Sequence, residues 1–258
     1  MDTCIGVFDS GVGGLSVLRA LRERLPGVPL RYLADSAHAP YGGRDAAHIA
    51  ERSVALTQRL MDDGAALIVV ACNTATVQAI AALRERWPAL PFVGVEPGIK
   101  PAAAQTRNGR IAVMATAATV GSARVRRLIE EHAAQTEVLL QGCPGVVDVV
   151  ERADGDDAAL RDVLRPYCER VRAFDADTVV LGCTHYPFVE PQIRELLGPA
   201  VRIIDTAQAI AERAASLWSG VAPGDASLKL QTTGDPRALA RMAAQWLRHE
   251  GEAERVMV

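Results

Sequence analysis

Two cysteines close matching segments of this chain. LIVVACNTAT (67–76) is echoed 111 residues later by TVVLGCTHYP (178–187), and in each an apolar run ends in one cysteine, Cys72 or Cys183, followed by polar, hydroxyl-bearing residues. A thiol has an unperturbed pKa of about 8.5 and is a useful base near neutrality only where helix N-termini, cations or hydrogen bonds stabilise its thiolate. Both cysteines have such neighbours. Cys72 precedes a helix opening at Asn73 and Thr74, and Cys183 precedes a turn containing Thr184 and His185. Two thiols facing each other across a cleft would make a two-base site, one removing a proton from a carbon and the other returning one to the opposite face. The chemistry suggested is racemisation. A lone strand-end cysteine is more simply a small core hydrophobe, but two at matched positions favour chemistry. Cys4, Cys143 and Cys168 fit the core role better, lying in a strand, before a Pro-Gly turn and in an amphipathic helix.

The elements that must position these thiols repeat as well. CIGVFDSGVGG (4–14) is matched by RIAVMATAATVGS (110–122) at an offset of about 106, and PFVGVEP (91–97) by VRIIDT (201–206) at about 109. Three echoes in one order point to two similar half-chains, against the simpler view that strands buried on both faces all look alike. Strands are predicted near 4–8, 30–34, 67–71, 92–95, 110–114, 137–140, 177–182 and 201–204, with helices between most of them. That alternation means α/β architecture with parallel sheets covered on both faces. Helices are predicted from Asp45 to about Met61, from Thr74 to before Pro88, from Thr206 to about Trp218, and from Pro236 to His249. The first domain is 1–97 completed by 207–258, the tail helices packing back on it, and the second is 98–206. The loop 221–225, with Pro223 and Gly224, reads as mobile, and the helical tail after Thr206 offers a surface for a homodimer.

Ligands of open parallel sheets bind beyond the carboxyl ends of the strands, which selects Asp9 and Ser10, the stretch 35–43 with His38, Tyr41 and Gly42, Cys72 to Thr76, Thr116 to Thr119, Glu151, and Cys183 to His185. DSGVGG (9–14) lacks the lysine and spacing of a phosphate loop. Its glycines permit a tight turn with amides aimed at a carboxylate. Asp9 reads as a carboxylate for an amine or a thiol, or more blandly as an N-cap. His185 can share a proton with Cys183 or be a satisfied structural histidine. His48, His132 and His249 read as solvated.

At 258 residues, with 49% hydrophobic and 23% charged residues, the chain reads as a soluble globular protein, and its net charge of -3 gives no footprint for nucleic acid or an anionic membrane. The partner expected is a small molecule. No apolar run approaches the ~18 residues of a membrane span, and no signal peptide is evident. Five cysteines without CxxC spacing fit free thiols in a reducing compartment, hence the cytoplasm. The only lysines are Lys100 and Lys229, neither at a convincing strand end, which disfavours a pyridoxal Schiff base; racemisation here would be cofactor-free, with no metal.

Together GVFDSGVGGLSVL (6–18), ADSAHAPYGGR (34–44), ACNTAT (71–76), GVEPGIKPA (94–102), GCPGVVDVVE (142–151) and LGCTHYPFVEPQI (181–193) resemble the glutamate racemases of the aspartate/glutamate racemase superfamily. The resemblance implies two Rossmann-like or flavodoxin-like domains related by a pseudo-twofold axis, with glutamate between them. It implies Cys72 as the acid/base for the D-isomer, assisted by Asp9, and Cys183 for the L-isomer, assisted by Glu151 and His185. Asp9, Ser10, Tyr41, Gly42, Asn73, Thr74, Thr116, Thr119, Thr184 and His185 would hold the substrate, and D-glutamate would feed peptidoglycan synthesis. The chain departs from the family at Ala117 and Ala118, where a Pro-Gly or similar pair is frequent, and at Val125, where an aromatic is common.

Three other readings compete. Cys72, Cys183 and His185 have the composition of a catalytic zinc site. The same scaffold also serves decarboxylases and hydantoin racemases, although two cysteines argue against decarboxylases that retain one. A two-domain cleft could finally bind an amino acid without turning it over.

Overall fold

A computed structural model describes residues 3–152, 156–220 and 227–258. In chain order the elements are β1 (Cys4–Asp9), α1 (Leu15–Arg24), β2 (Leu30–Ala34), α2 (Ala46–Asp62), β3 (Ala65–Val70), α3 (Asn73–Arg86) and β4 (Phe92–Gly94). There follow α4 (Ile99–Gln105), β5 (Arg110–Ala115), α5 (Ala117–Val120), α6 (Ala123–His132), β6 (Glu137–Gly142), α7 (Val146–Arg152), α8 (Asp157–Ala173), β7 (Thr178–Gly182), α9 (Glu190–Leu197) and β8 (Arg202–Ile204). The chain closes with α10 (Ala207–Leu217), β9 (Leu228–Thr232), α11 (Pro236–Leu247) and β10 (Ala253–Arg255). The expected loop at 221–225 falls outside the described residues, apart from which the chain forms two compact units, Met1–Val95 with Ala207–Val258, and Glu96–Thr206.

The first unit is built on a six-stranded sheet of order β10-β9-β2-β1-β3-β4, parallel at every pairing. Parallel neighbours need helical crossovers that cover the faces, so the central strands are almost wholly apolar. All six residues of β1 are buried, as are all of β3 except Ala66. Phe8, Leu33, Ile68 and Val70 pack on one face with Ile49, Leu56 and Leu60 of α2 and Ala75, Ala79 and Leu83 of α3. Asp45 caps α2 by accepting from the His48 amide at 2.8 Å, as the sequence predicts.

The second unit holds a four-stranded parallel sheet of order β6-β5-β7-β8. Its core joins Val113, Ala115 and Val180 to Ile99 of α4 and Val125 and Leu128 of α6. The strands β2-β1-β3-β4 and β6-β5-β7-β8 run through the same succession of first, second, third and fourth strand. Each of the three echoes therefore pairs topologically equivalent strands: β1 with β5, β3 with β7, and β4 with β8.

The tail differs from its reading as helices alone. Besides α10 and α11 it supplies β9, which pairs with β2 from Leu228 to Thr232, and β10, which extends the sheet edge. β9 was missed because LKLQT is not an apolar run: Gln231 and Thr232 are fully buried, in places set by tertiary neighbours. β10 has only Ala-Glu-Arg, too short for a period-two pattern.

Candidate active site

In both sheets the strand order reverses direction around the first and third strands, and the crevice at such a switch point is where α/β folds bind ligands. In the first unit the switch point is marked by the ends of β1 and β3, and Cys72 follows β3 directly. Asn73 opens α3, so Cys72 is its N-cap and Cys72 Sγ accepts the Ala75 amide at 3.4 Å. The sulfur therefore faces the positive end of the helix dipole. The Cys72 thiol also donates to Ser10 Oγ at 3.6 Å. Cys72, Ser10, Asn73 and Thr74 are all buried, at 7% exposure or less.

Asp9 ends β1 and is fully buried, with Oδ1 accepting the Gly11 amide at 2.8 Å. The N-cap of α1 is Gly14, which displaces the blander view of Asp9 as the cap. Gly14 is required by close approach: a Cβ there would lie 2.7 Å from Asp9 Cβ and 2.9 Å from Tyr32 Oη. Tyr32 in turn donates to the Gly11 carbonyl at 2.7 Å, so the DSGVGG loop is tied down at its centre.

Tyr41 and Gly42 lie in a single 3₁₀ turn, Tyr41–Gly43. Tyr41 is buried in the cluster that contains Cys72, but its hydroxyl donates at 2.6 Å to Asp35, which is itself fully buried. The phenol is thereby committed to a carboxylate, and its pKa is pushed far up by burial and by the Asp35 charge. What Tyr41 offers a ligand is its ring and the backbone of the turn. Asn73 Nδ2 donates to the Val95 carbonyl at 3.2 Å.

In the second unit Cys183 follows β7 as Cys72 follows β3. The register Ala115↔Gly182, continued one residue, sets Thr116 beside Cys183, just as Phe8↔Val70 continued two residues sets Ser10 beside Cys72. Thr116 caps α5 and donates to Thr119 Oγ1 at 3.0 Å, so the Ala117-Ala118 departure is accommodated as one capped helical turn. Cys183 Sγ lies 3.7 Å from His185 Nδ1, and His185 Nε2 lies 2.8 Å from Glu151 Oε1 on α7. Burial disfavours a charge on His185, but the hydrogen bonds and charges of Cys183 and Glu151 outweigh it and raise the imidazole pKa well above its ordinary value. Thr184 is buried alongside.

The remaining cysteines are of a different kind. Burial raises the thiol pKa of Cys4, and pushes Cys143 and Cys168 up to about 12. Among the other histidines His132 is exposed, whereas His48 is partly buried with Nε2 out of solvent and its ring 5.5 Å from that of His38. His249 is also partly buried, so neither His48 nor His249 is the freely solvated residue predicted: each packs at a helix end whose neighbours the sequence does not show. Among the described residues no group of three or more His, Cys, Asp and Glu side chains is disposed to hold a metal ion, and no helix is long and apolar enough to cross a membrane.

The sequence missed the roles of Arg52 and Thr233. Arg52 donates to both Asp35 oxygens at 3.0 Å, and Thr233 Oγ1 donates to Asp35 Oδ1 at 2.9 Å. Together with Tyr41 they make a closed polar knot beneath the 35–43 loop.

Known proteins resemble this chain in sequence and in fold. The family model described as Asp/Glu/Hydantoin racemase matches residues 5–214. The glutamate racemase of Stutzerimonas stutzeri is 44% identical over 92% of this chain and 91% of its own length. The crystal structure of a glutamate racemase isoform from Bacillus anthracis superposes with a TM-score of 0.90 at 31% identity, covering 99% of this chain and 98% of that one. That of Escherichia coli glutamate racemase, in complex with L-glutamate and the activator UDP-MurNAc-ala, gives 0.86 at 35% identity, covering 100% and 99%. The chain belongs to the Asp/Glu/hydantoin racemase family, and within it stands with the glutamate racemases.

Proposed function

We propose that this isomerase interconverts L- and D-glutamate without a cofactor, Cys72 and Cys183 acting as the two acid/base groups on one α-carbon. The observation that carries this reading is the equivalence of the two cysteines, each following the third strand of a sheet of the same order and each flanked by a hydroxyl residue after the first strand. The L-glutamate complex of the E. coli relative supports the substrate. Cys72 is assigned to the D-isomer with help from Asp9, and Cys183 to the L-isomer with help from His185 and Glu151. Negative charge developing on the substrate as its α-proton leaves is met by preorganised donors, for which the amides and side chains of Ser10, Asn73, Thr74, Thr116, Thr119 and Thr184, with Tyr41 and Gly42, are the candidates. The enzyme works in the cytoplasm, and its D-glutamate supplies peptidoglycan.

The test is proton NMR with polarimetry in deuterated water, starting from each isomer and adding no cofactor. The expected result is loss of the α-proton signal together with decay of rotation to zero. Exchange and rotation both unchanged in folded protein would reject glutamate as the substrate.

The His185 pair carries a pH prediction. A cation beside a sulfur favours its thiolate, and the raised pKa keeps His185 protonated to higher pH than an ordinary imidazole. Activity that depends on this proton is lost as pH rises through the raised value. Glu151→Gln removes an anion that favours the imidazolium, so the His185 pKa falls and the basic limb of kcat/KM should move down by about one to three pH units. A basic limb that stays in place would show that the His185 proton is not needed.

A further inference from the structure

Among the described residues the second unit has no counterpart of β9. There β6 is an edge strand, whereas its equivalent in the first unit, β2, pairs with β9 from Leu30↔Leu228 to Ala34↔Thr232. The pairing is parallel, so Thr233 leaves the sheet at the same carboxyl edge as Asp9, Asp35 and Cys72. Its amide continues the ladder by donating to the Ala34 carbonyl at 3.0 Å. Its hydroxyl does something the ladder does not need: it donates to Asp35 Oδ1 at 2.9 Å and accepts the Ala37 amide at 3.1 Å. Gly234 keeps the approach close, since a Cβ there would lie 2.8 Å from Ser36 Cβ.

This one buried hydroxyl grips the 35–43 loop twice. It holds the backbone directly at Ala37, and it holds Tyr41 through the carboxylate, whose other oxygen takes the phenol at 2.6 Å. Asp35 is tied to β1 as well, its amide donating to the Asp9 carbonyl at 2.9 Å. The loop's far end thus reaches the cluster of Tyr41 and Cys72, where the thiolate charge is felt by the phenol. A loop can be anchored by apolar packing without loss of stability, since buried ion pairs are often no better than hydrophobic replacements. What converging hydrogen bonds add is direction, because a fully satisfied network rigidifies its members in one arrangement.

We propose that Thr233 is a positioning residue for racemisation, holding the 35–43 loop so that Tyr41 and Gly42 meet the substrate in one fixed geometry. The inference rests on the reading of Tyr41 and Gly42 as substrate contacts. The tail then belongs to the working part of the enzyme, through a strand that only the first unit possesses.

The test compares Thr233→Val, which keeps the shape and drops the hydroxyl, with Thr233→Ser, which keeps the hydroxyl. Each is assayed for racemisation of both isomers and for amide hydrogen exchange of the segment 35–44. Thr233→Val should raise KM for L- and D-glutamate alike by about three- to tenfold and leave kcat within about twofold, as expected for contacts made equally in ground and transition states. Its 35–44 amides should exchange about tenfold faster while the rest of the unit keeps the parent rates. Thr233→Ser should stay near the parent in both readouts. Lys229→Gln, which breaks an exposed pair with Glu254 near the start of the same strand, should change neither. Unchanged KM in folded Thr233→Val, a loss confined to kcat, or equal impairment in Thr233→Ser would overturn the inference. Absence of turnover in the parent would instead reject the glutamate reading. The exchange rates then decide alone, and loop amides no faster in Thr233→Val would overturn the positioning role.

Discussion

Cys72→Ala and Cys183→Ala should each abolish net racemisation in both directions, lowering kcat/KM by about 10³-fold or more, within the range ascribed to acid/base groups. The loss must be equal for the two isomers, because enantiomers have the same free energy in water and the ratio of forward to reverse kcat/KM is fixed at unity. What distinguishes the two thiols is exchange. In Cys72→Ala the remaining Cys183 can still take the α-proton of L-glutamate and return a solvent deuteron to the same face, so L-glutamate should lose its α-proton signal while keeping its rotation. Cys183→Ala should do the same with D-glutamate only. Racemisation near the parent rate in either variant would end the two-thiol mechanism. Exchange of the same isomer in both variants would overturn the assignment of faces.

Asp35→Ala should cost about 3–5 kcal/mol of stability, the usual consequence of breaking a buried ion pair. Asp35 is fully buried and accepts from Tyr41, twice from Arg52 and from Thr233; the Arg52 side chain is only 12% exposed. Removing the carboxylate strands a guanidinium that also donates to the Val258 carbonyl at 2.9 Å, and frees the ring packed in the Cys72 cluster. The exposed pair Arg24–Glu212, with side chains 47% and 62% exposed, is the control: Glu212→Gln should cost no more than about 1 kcal/mol. The acid response follows. Burial raises the Asp35 pKa, but the hydrogen bonds of Arg52, Tyr41 and Thr233 and the Arg52 charge lower it below its ordinary value. Its contribution is therefore present above the unfolded carboxyl pKa of about 3.9 and lost as pH falls through the lower folded value. Urea unfolding at neutral pH and again near pH 3 should show the variant and parent converging in acid. A gap that persists undiminished would exclude Asp35 ionisation as its source.

Much of the fold was legible because it is written locally. Eight strands follow from apolar runs that parallel pairing makes continuous, and Asp45 announces α2 by a cap three residues from the amide it binds. β9 and β10 escaped because their burial depends on β2 and not on their own composition. The knot at Asp35 escaped for the same reason. Asp35 stood in a recognisable strand-end stretch, yet its partner Thr233 lies 198 positions away at the end of a strand with no apolar signature.

By itself the sequence determined the α/β class, the matched apolar runs and the order of chemistry-bearing residues at their carboxyl ends, since these depend on burial patterns and turn residues within a few positions. Only the tertiary structure decided that Cys72 caps α3, that Glu151 meets His185 across 34 positions, and that the Tyr41 hydroxyl belongs to Asp35. Hydrogen bonds between distant segments leave no period in the chain. They exist only once parallel pairing has set the strand ends side by side, and the helix dipole acts on a sulfur only where the backbone places it.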